Sequence, residues 1–291
     1  MNGRAYAKVN LSLRVGALGD DGLHSIFSLA QSIDWADQMT LVRTEGGDTF
    51  VIRGADLEAD EDNLAWRAVS QMRAGSQPAV CLELDKSIAV AAGLGGGSAD
   101  AALGLALGAD LFRRSPNDAV AAAADLGADV AFCLAGGTAL LEGTGDRVNP
   151  LPAADDFAVA IIVPPFELAT PAVYGRWDEL DGPVGSQIAA RHLPASLREH
   201  APLINDLQPA AVDLVPELAD WISETASAWG QPVAMSGSGP SLFSLFGTVD
   251  EAADAVTAVG GVRASAAARP VPVGWEMGPG STLPPPPWGV V

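Results

Sequence analysis

Between Val90 and Ala102 the chain reads VAAGLGGGSADAA, four glycines (Gly93, Gly95, Gly96, Gly97) running directly into an alanine-rich segment with strong helix preference. Glycine lacks a Cβ, so such a run can take positive φ and let a ligand approach the backbone closely. The helix that follows offers unpaired N–H groups and the positive end of its dipole. Together these features suit an anion, phosphate above all, although a plain turn capped by Ser98 would use the same residues. A P-loop is excluded, because Ser98 and Ala99 stand after the last glycine where Lys-Ser or Lys-Thr is needed. A dinucleotide-binding fold fits poorly. The run lies a third of the way along the chain, not in the first strand-to-helix turn, and Asp110 falls in a helical stretch instead of closing the next strand.

Around this run the pattern alternates strand and helix. Period-2 patterning predicts strands over Ala5–Val15, Met39–Arg43 and Thr49–Arg53, then a helix capped by Asp62 or Asn63 and ending near Met72. A strand over Val80–Leu84, helices over Ala99–Leu111 and Asn117–Leu126, and a strand over Thr138–Leu141 follow. The proline-rich joint at Asn149–Ala153 is the expected domain boundary, and the second half opens on a strand at Phe157–Val163. This divides the chain into residues 1–150, residues 151–281 and a proline-dense tail at 282–291, read as extended or disordered.

The charge balance narrows the partners. A formal charge of −20 argues against nucleic acid and anionic membrane, which are held by clustered Lys and Arg. Lys8 and Lys86 are the only lysines, so any phosphate site must be local. Two cysteines are too few for a disulfide framework, no leader pattern opens the chain, and the apolar tracts fall short of the ~20 residues a membrane span needs. A cytoplasmic, reduced protein is expected. Asp129 sits in GADVAFCL, and a carboxylate in such apolar company calls for a cationic partner or a function.

Three motifs carry a resemblance. VAAGLGGGSADAA is similar to the ATP loop of the small-metabolite kinases named for galactokinase, homoserine kinase, mevalonate kinase and phosphomevalonate kinase; AYAKVNLSL (Ala5–Leu13) and AMSGSGPSLFSLF (Ala234–Phe246) resemble that superfamily's first and third motifs, in order. The resemblance implies an α+β, two-domain small-metabolite kinase fold, with a ribosomal protein S5 domain 2-like N-terminal domain and a ferredoxin-like C-terminal domain. It also implies ATP with Mg²⁺, the nucleotide meeting Asn63, Lys86 and the loop Gly93, Leu94, Gly95, Gly96, Gly97, Ser98 and Ala99, with Ser98 touching phosphate or the metal. Phosphoryl transfer to an alcohol needs alignment, charge neutralisation and a proton acceptor. The superfamily's base aligns with Asp129 and its lysine partner with Lys8, with Asn10, Thr170, Gly237 and Ser238 on the acceptor side.

Four further blocks, Asp20–Asp37, Asp62–Ala68, Leu126–Val148 and Ile204–Ala210, resemble the branch of the superfamily that phosphorylates a cytidine diphosphate derivative in the non-mevalonate isoprenoid route. That branch usually carries Tyr-His where this chain has Leu23-His24, the ring stacking on cytosine and the histidine pairing with its edge. Leu23 has no π face, so stacking passes to Tyr174 or nucleotide affinity falls. Tyr6, Ala89 and Ala131 each replace a usual proline, which bears on loop rigidity more than on reaction class. Another small alcohol as acceptor, and a catalytically silent nucleotide-binding homologue, are the alternatives. A monomer or homodimer is expected.

Overall fold

The structure is a computed structural model describing residues 1–20, 22–73 and 77–283. Its first half forms β1 (Asn2–Leu18), β2 (His24–Arg43), β3 (Thr49–Arg53), α1 (Leu64–Gln71), β4 (Val80–Asp85), α2 (Gly96–Phe112), α3 (Pro116–Leu126), α4 (Ala128–Ala135), β5 (Thr138–Glu142) and β6 (Arg147–Pro150). The second half adds β7 (Ala158–Val163), α5 (Thr170–Glu179), β8 (Gln187–Ile188), β9 (Leu203–Ile204), α6 (Gln208–Leu214) and α7 (Glu217–Trp229). It ends with β10 (Ala234–Met235), β11 (Leu242–Phe246), α8 (Val249–Thr257), β12 (Ala264–Ala268) and β13 (Trp275–Met277).

The first sheet runs β13-β1-β2-β4-β3, with β5 on β2 and β6 on β5. Its long hairpin β1–β2 shifts register between Tyr6 and Lys8 and again between Asn10 and Ser12. Such irregularities re-aim side chains, and here they flank Lys8 and Asn10. Helix α2 is buried almost throughout, because its side chains are Ala, Gly, Leu and Phe apart from Ser98, Asp100 and Asp110. Gly104 and Gly108 let α1 approach it closely: a Cβ on Gly104 would stand 3.0 Å from the Ala65 carbonyl oxygen, and one on Gly108 2.9 Å from the Met72 Cβ.

The second sheet is antiparallel, β10-β11-β7-β12. All six residues of β7 are buried, and their alternation sorts them. Ala158, Ala160 and Ile162 pack with α5 to α8, while Val159, Ile161 and Val163 pack against Ala7, Val9, Leu11 and Ile33 of the hairpin. The chain passes from one sheet to the other between β6 and β7. The last strand does not stay with the second sheet: β13 returns to pair with β1, placing Trp275 in the first core. The first two residues of the expected tail are anchored, Thr282 donating its N–H to Asp110 at 3.1 Å and Leu283 packing on the first core; the rest of it, residues 284–291, lies outside the described residues. Among the described residues no helix is long and apolar enough to cross a membrane.

Candidate active site

The glycine run opens α2 earlier than its alanines suggest. Gly95, at φ +67°, is the N-cap, no side chain caps the helix, and helical geometry starts at Gly96. The N–H groups of the first turn therefore need partners from outside the helix. Ala99 is past that turn: its N–H bonds the Gly95 carbonyl at 2.9 Å, and the residue is fully buried and not among those lining the cleft described below. A Cβ on Gly95 would fall 2.8 Å from Lys8 Cγ, and one on Gly93, at φ +74°, 2.3 Å from the Ser236 carbonyl oxygen. Only glycine fits either place.

One serine knits the three motifs together. Ser236 Oγ donates to the Gly93 carbonyl and accepts from the Asn10 N–H, both at 3.0 Å. Asn205 clamps the third motif from below, its Nδ2 donating to the carbonyls of Met235 (2.6 Å) and Gly237 (2.8 Å). Ser236 belongs to the third motif read from the sequence, where it was given no role of its own, and Asn205 was not singled out, although it lies inside the recognisable block Ile204–Ala210.

These loops wall a cleft of about 470 Å³. Lys8, Asn10, Asn63, Lys86, Gly93 to Ser98, Asp129, Thr170, Tyr174, Gly237 and Ser238 all line it. Asn63 does so as the N-cap of α1, its side chain accepting from the Ala65 N–H at 3.0 Å. Both of the chain's lysines and two aspartates, Asp100 and Asp129, are among the lining residues.

Lys8 Nζ lies 3.3 Å from Asp129 Oδ2 and donates to Asn10 Oδ1 at 2.5 Å; Asn10 Nδ2 in turn donates to Ser28 Oγ at 2.8 Å. The lysine is thus aimed from both sides, and its own N–H is fixed to the Leu94 carbonyl of the glycine loop at 2.9 Å. Asp129 sits in the first turn of α4 behind Gly127, with 40% of its side chain exposed. The apolar neighbours that drew attention to it in the sequence face inward on α4, so the carboxylate is a cleft-wall group and not a buried one.

Lys86 is placed differently. It is buried with Asp37 and Asp100, bonding Asp37 by a very short contact and Asp100 at 2.6 Å. Asp37 Oδ1 also accepts the N–H groups of Ser87 (2.5 Å) and Ile88 (2.8 Å), where the chain enters the glycine loop. Burial alone would lower the Lys86 pKa, but the two carboxylates outweigh it and raise it above the ordinary lysine value. Burial pushes the Asp100 carboxyl up to about 7, with Lys86 opposing and Asp37 reinforcing the shift. The expected cofactor lysine is therefore held inside a bracket joining β2, the loop and α2.

On another part of the cleft wall, Thr170 Oγ1 and Ser238 Oγ are 2.7 Å apart, joining the start of α5 to the third motif. Tyr174 presents its ring to the cleft, and burial followed by the Asp129 charge pushes its hydroxyl up to about 12. His24 does not line the cleft. Its ring stacks behind Tyr174 at 5.6 Å and 24°, meets the edge of Trp177, and bonds the Gly16 carbonyl (3.0 Å) and Asp178 (3.2 Å). Leu23 is 56% exposed on the hairpin turn and also lies outside the cleft.

A cleft walled by an uncapped helix start, a glycine loop and a lysine–aspartate pair belongs to a recognisable class. Residues 63–137 match the family description "GHMP kinases N terminal domain" and residues 189–262 match "GHMP kinases C terminal"; the chain belongs to the GHMP kinase family. It is 39% identical to a protein of Cutibacterium acnes named 4-diphosphocytidyl-2-C-methyl-D-erythritol kinase, over 81% of this chain and 83% of that one. A protein of the same name from Streptomyces avermitilis is 35% identical over 96% of this chain and 98% of its own. A crystal structure of 4-(cytidine 5'-diphospho)-2C-methyl-D-erythritol kinase superposes with a TM-score of 0.75 at 34% identity, covering 92% of this chain and 99% of that one. A mevalonate kinase at 9% identity and a TM-score of 0.63 shares the fold.

Proposed function

We propose that this protein transfers the γ-phosphate of ATP to the 2-hydroxyl of 4-diphosphocytidyl-2-C-methyl-D-erythritol, a step of non-mevalonate isoprenoid precursor synthesis. The observation that carries the reading is the convergence of Lys8 and Asp129, 3.3 Å apart, on the cleft that also receives the uncapped start of α2. The relatives' shared name supplies the acceptor.

In this reading the N–H groups of the first turn of α2 receive the phosphates, aided by the helix dipole. Asp129, on the cleft wall, accepts the proton of the acceptor hydroxyl as its oxygen bonds the γ-phosphorus and the bond to the β,γ-bridging oxygen breaks, releasing ADP. Lys8, oriented by Asn10, offsets the charge on the transferring group. Lys86 acts on ATP through the loop it braces. Mg²⁺ would neutralise phosphate charge, and the Ser98 hydroxyl on the first turn of α2 is a donor of the hard oxygen type that this ion prefers. Tyr174 offers the π face for cytosine that Leu23 cannot, with His24 packed behind it. Thr170 and the Gly237–Ser238 turn complete the acceptor wall. The same reading makes the protein a cytoplasmic enzyme, monomer or homodimer.

An acceptor panel tests it. Purified protein with ATP and Mg²⁺ should release ADP with the cytidine compound and not with homoserine, mevalonate or galactose. Turnover on one of those alcohols instead, or on none of the four, overturns the assignment.

A further inference from the structure

The bracket around Lys86 is unbalanced. One ammonium faces two carboxylates, Asp37 and Asp100, all three side chains at most 4% exposed. The two carboxylates are not equivalent. Asp37 has both oxygens occupied, Oδ1 by two backbone N–H groups and Oδ2 by Lys86. Asp100 bonds Lys86 through Oδ2 alone, and its buried Oδ1 has no hydrogen-bond partner among the described residues. A carboxyl oxygen left unpaired in a protein interior is expensive whether or not the group carries its charge, and such orphans mark a missing partner.

The location says what that partner is. Asp100 lines the cleft and follows Gly96 by four positions on α2, which places it one turn below the N–H groups proposed to hold phosphate, on the same helical face. Bringing a polyanion to within a turn of a surplus buried carboxylate is repulsive unless a cation arrives with it. A hard divalent ion that binds phosphate oxygens and one or two carboxylates meets both requirements.

We infer that Asp100 supplies, through its unpaired Oδ1, a carboxylate seat for the divalent cation that enters with the nucleotide. Lys86 then holds the other oxygen and fixes the carboxylate's orientation, and Asp37 holds Lys86. The inference rests on reading the cleft as the ATP site, and the experiment separates the two.

Mn²⁺ is the probe, with the non-hydrolysable analogue AMP-PNP as nucleotide. Calorimetry in EDTA measures metal-free AMP-PNP binding, and electron paramagnetic resonance titration measures Mn²⁺ affinity in the nucleotide complex, for wild type and Asp100→Asn. Loss of a metal-holding carboxylate should weaken Mn²⁺ about tenfold or more. Metal-free AMP-PNP should bind the variant as well as or better than wild type, since a repelling charge is gone. Asp100→Ser, smaller and still able to bond Lys86, gives the same reading should the asparagine variant not fold. Unchanged Mn²⁺ affinity in a folded variant overturns the role of Asp100, whereas failure of wild type to bind AMP-PNP overturns the reading of the cleft itself.

Discussion

Lys8 and Lys86 are the chain's two lysines, and both end on one cleft, each beside aspartate. Their surroundings set them apart. Lys8 meets a carboxylate that is 40% exposed at 3.3 Å, longer than the ~2.7–2.9 Å of a tight charge-assisted bond, so a hydroxyl can enter between or beside the two groups without breaking a locked contact. Lys86 is enclosed at 2.6 Å and closer by two carboxylates, one of which, Asp37, also secures the backbone at Ser87 and Ile88. Identical residue types thus make an open pair suited to proton transfer and a closed bracket suited to holding a loop in shape. Exposure of the partner and the number of bonds it already makes decide which is which.

The difference can be broken by substitution. The largest expected effect is Gly95→Val, between the two clusters. At φ +67°, with Lys8 Cγ 2.8 Å from where Cβ would stand, a β-branched residue displaces both the loop and the lysine. Calorimetry on the folded fraction should find ATP binding abolished, and retained affinity would mean the phosphates bind elsewhere. Next is Lys86→Met, which leaves Asp37 and Asp100 buried together without a cation. Removing one member of a buried ion cluster typically destabilises by about 3–5 kcal/mol, which urea denaturation would register. A change under about 1 kcal/mol, the usual worth of an exposed ion pair, would place Lys86 in the same class as Lys8. The smallest is Tyr174→Ala. Losing one base stack of ~1–3 kcal/mol should raise KM for the cytidine acceptor several-fold or more and leave KM for ATP nearly unchanged. Equal rises in both constants would show that the ring shapes the whole cleft instead of one subsite.

Much of this was legible because it is local. The glycine run, the cap at Asn63 and the alternation of strands are short-range signals, and the ordered motifs identified the superfamily and hence its two-domain architecture. What stayed hidden is long-range. Asp37 lies on β2, Lys86 just past β4 and Asp100 on α2, and their pairing depends on how β2 and β4 register and on where α2 starts. Asp100 stood in the quoted loop all along, with nothing in its spacing to say that one oxygen would be left without a partner. The return of β13 to β1 joins residues more than 270 apart in sequence, from Gly3 to Met277, and no periodicity announces it. Asp129 was noticed on account of its apolar neighbours, yet α4 turns those inward and leaves the carboxylate on the cleft wall. The residue was legible while the physical reason for it was not. His24 shows the converse: its motif was readable, but the aromatic packing that turns it behind Tyr174 comes from α5, some 150 residues further on, with Asp178 at the end of the same contact.

The most direct test of the open pair is a single-turnover experiment with γ-labelled ATP and the cytidine acceptor, comparing wild type with Asp129→Asn at equal ATP occupancy confirmed by calorimetry. The substitution keeps side-chain volume and the reach to Lys8 but removes the proton acceptor. Label should pass to the acceptor in wild type and do so ~10²–10⁴-fold more slowly in the variant, with ATP affinity and melting temperature little changed. Transfer at the wild-type rate would show that Asp129 takes no proton, and that the pair at the cleft wall is as structural as the bracket beneath it.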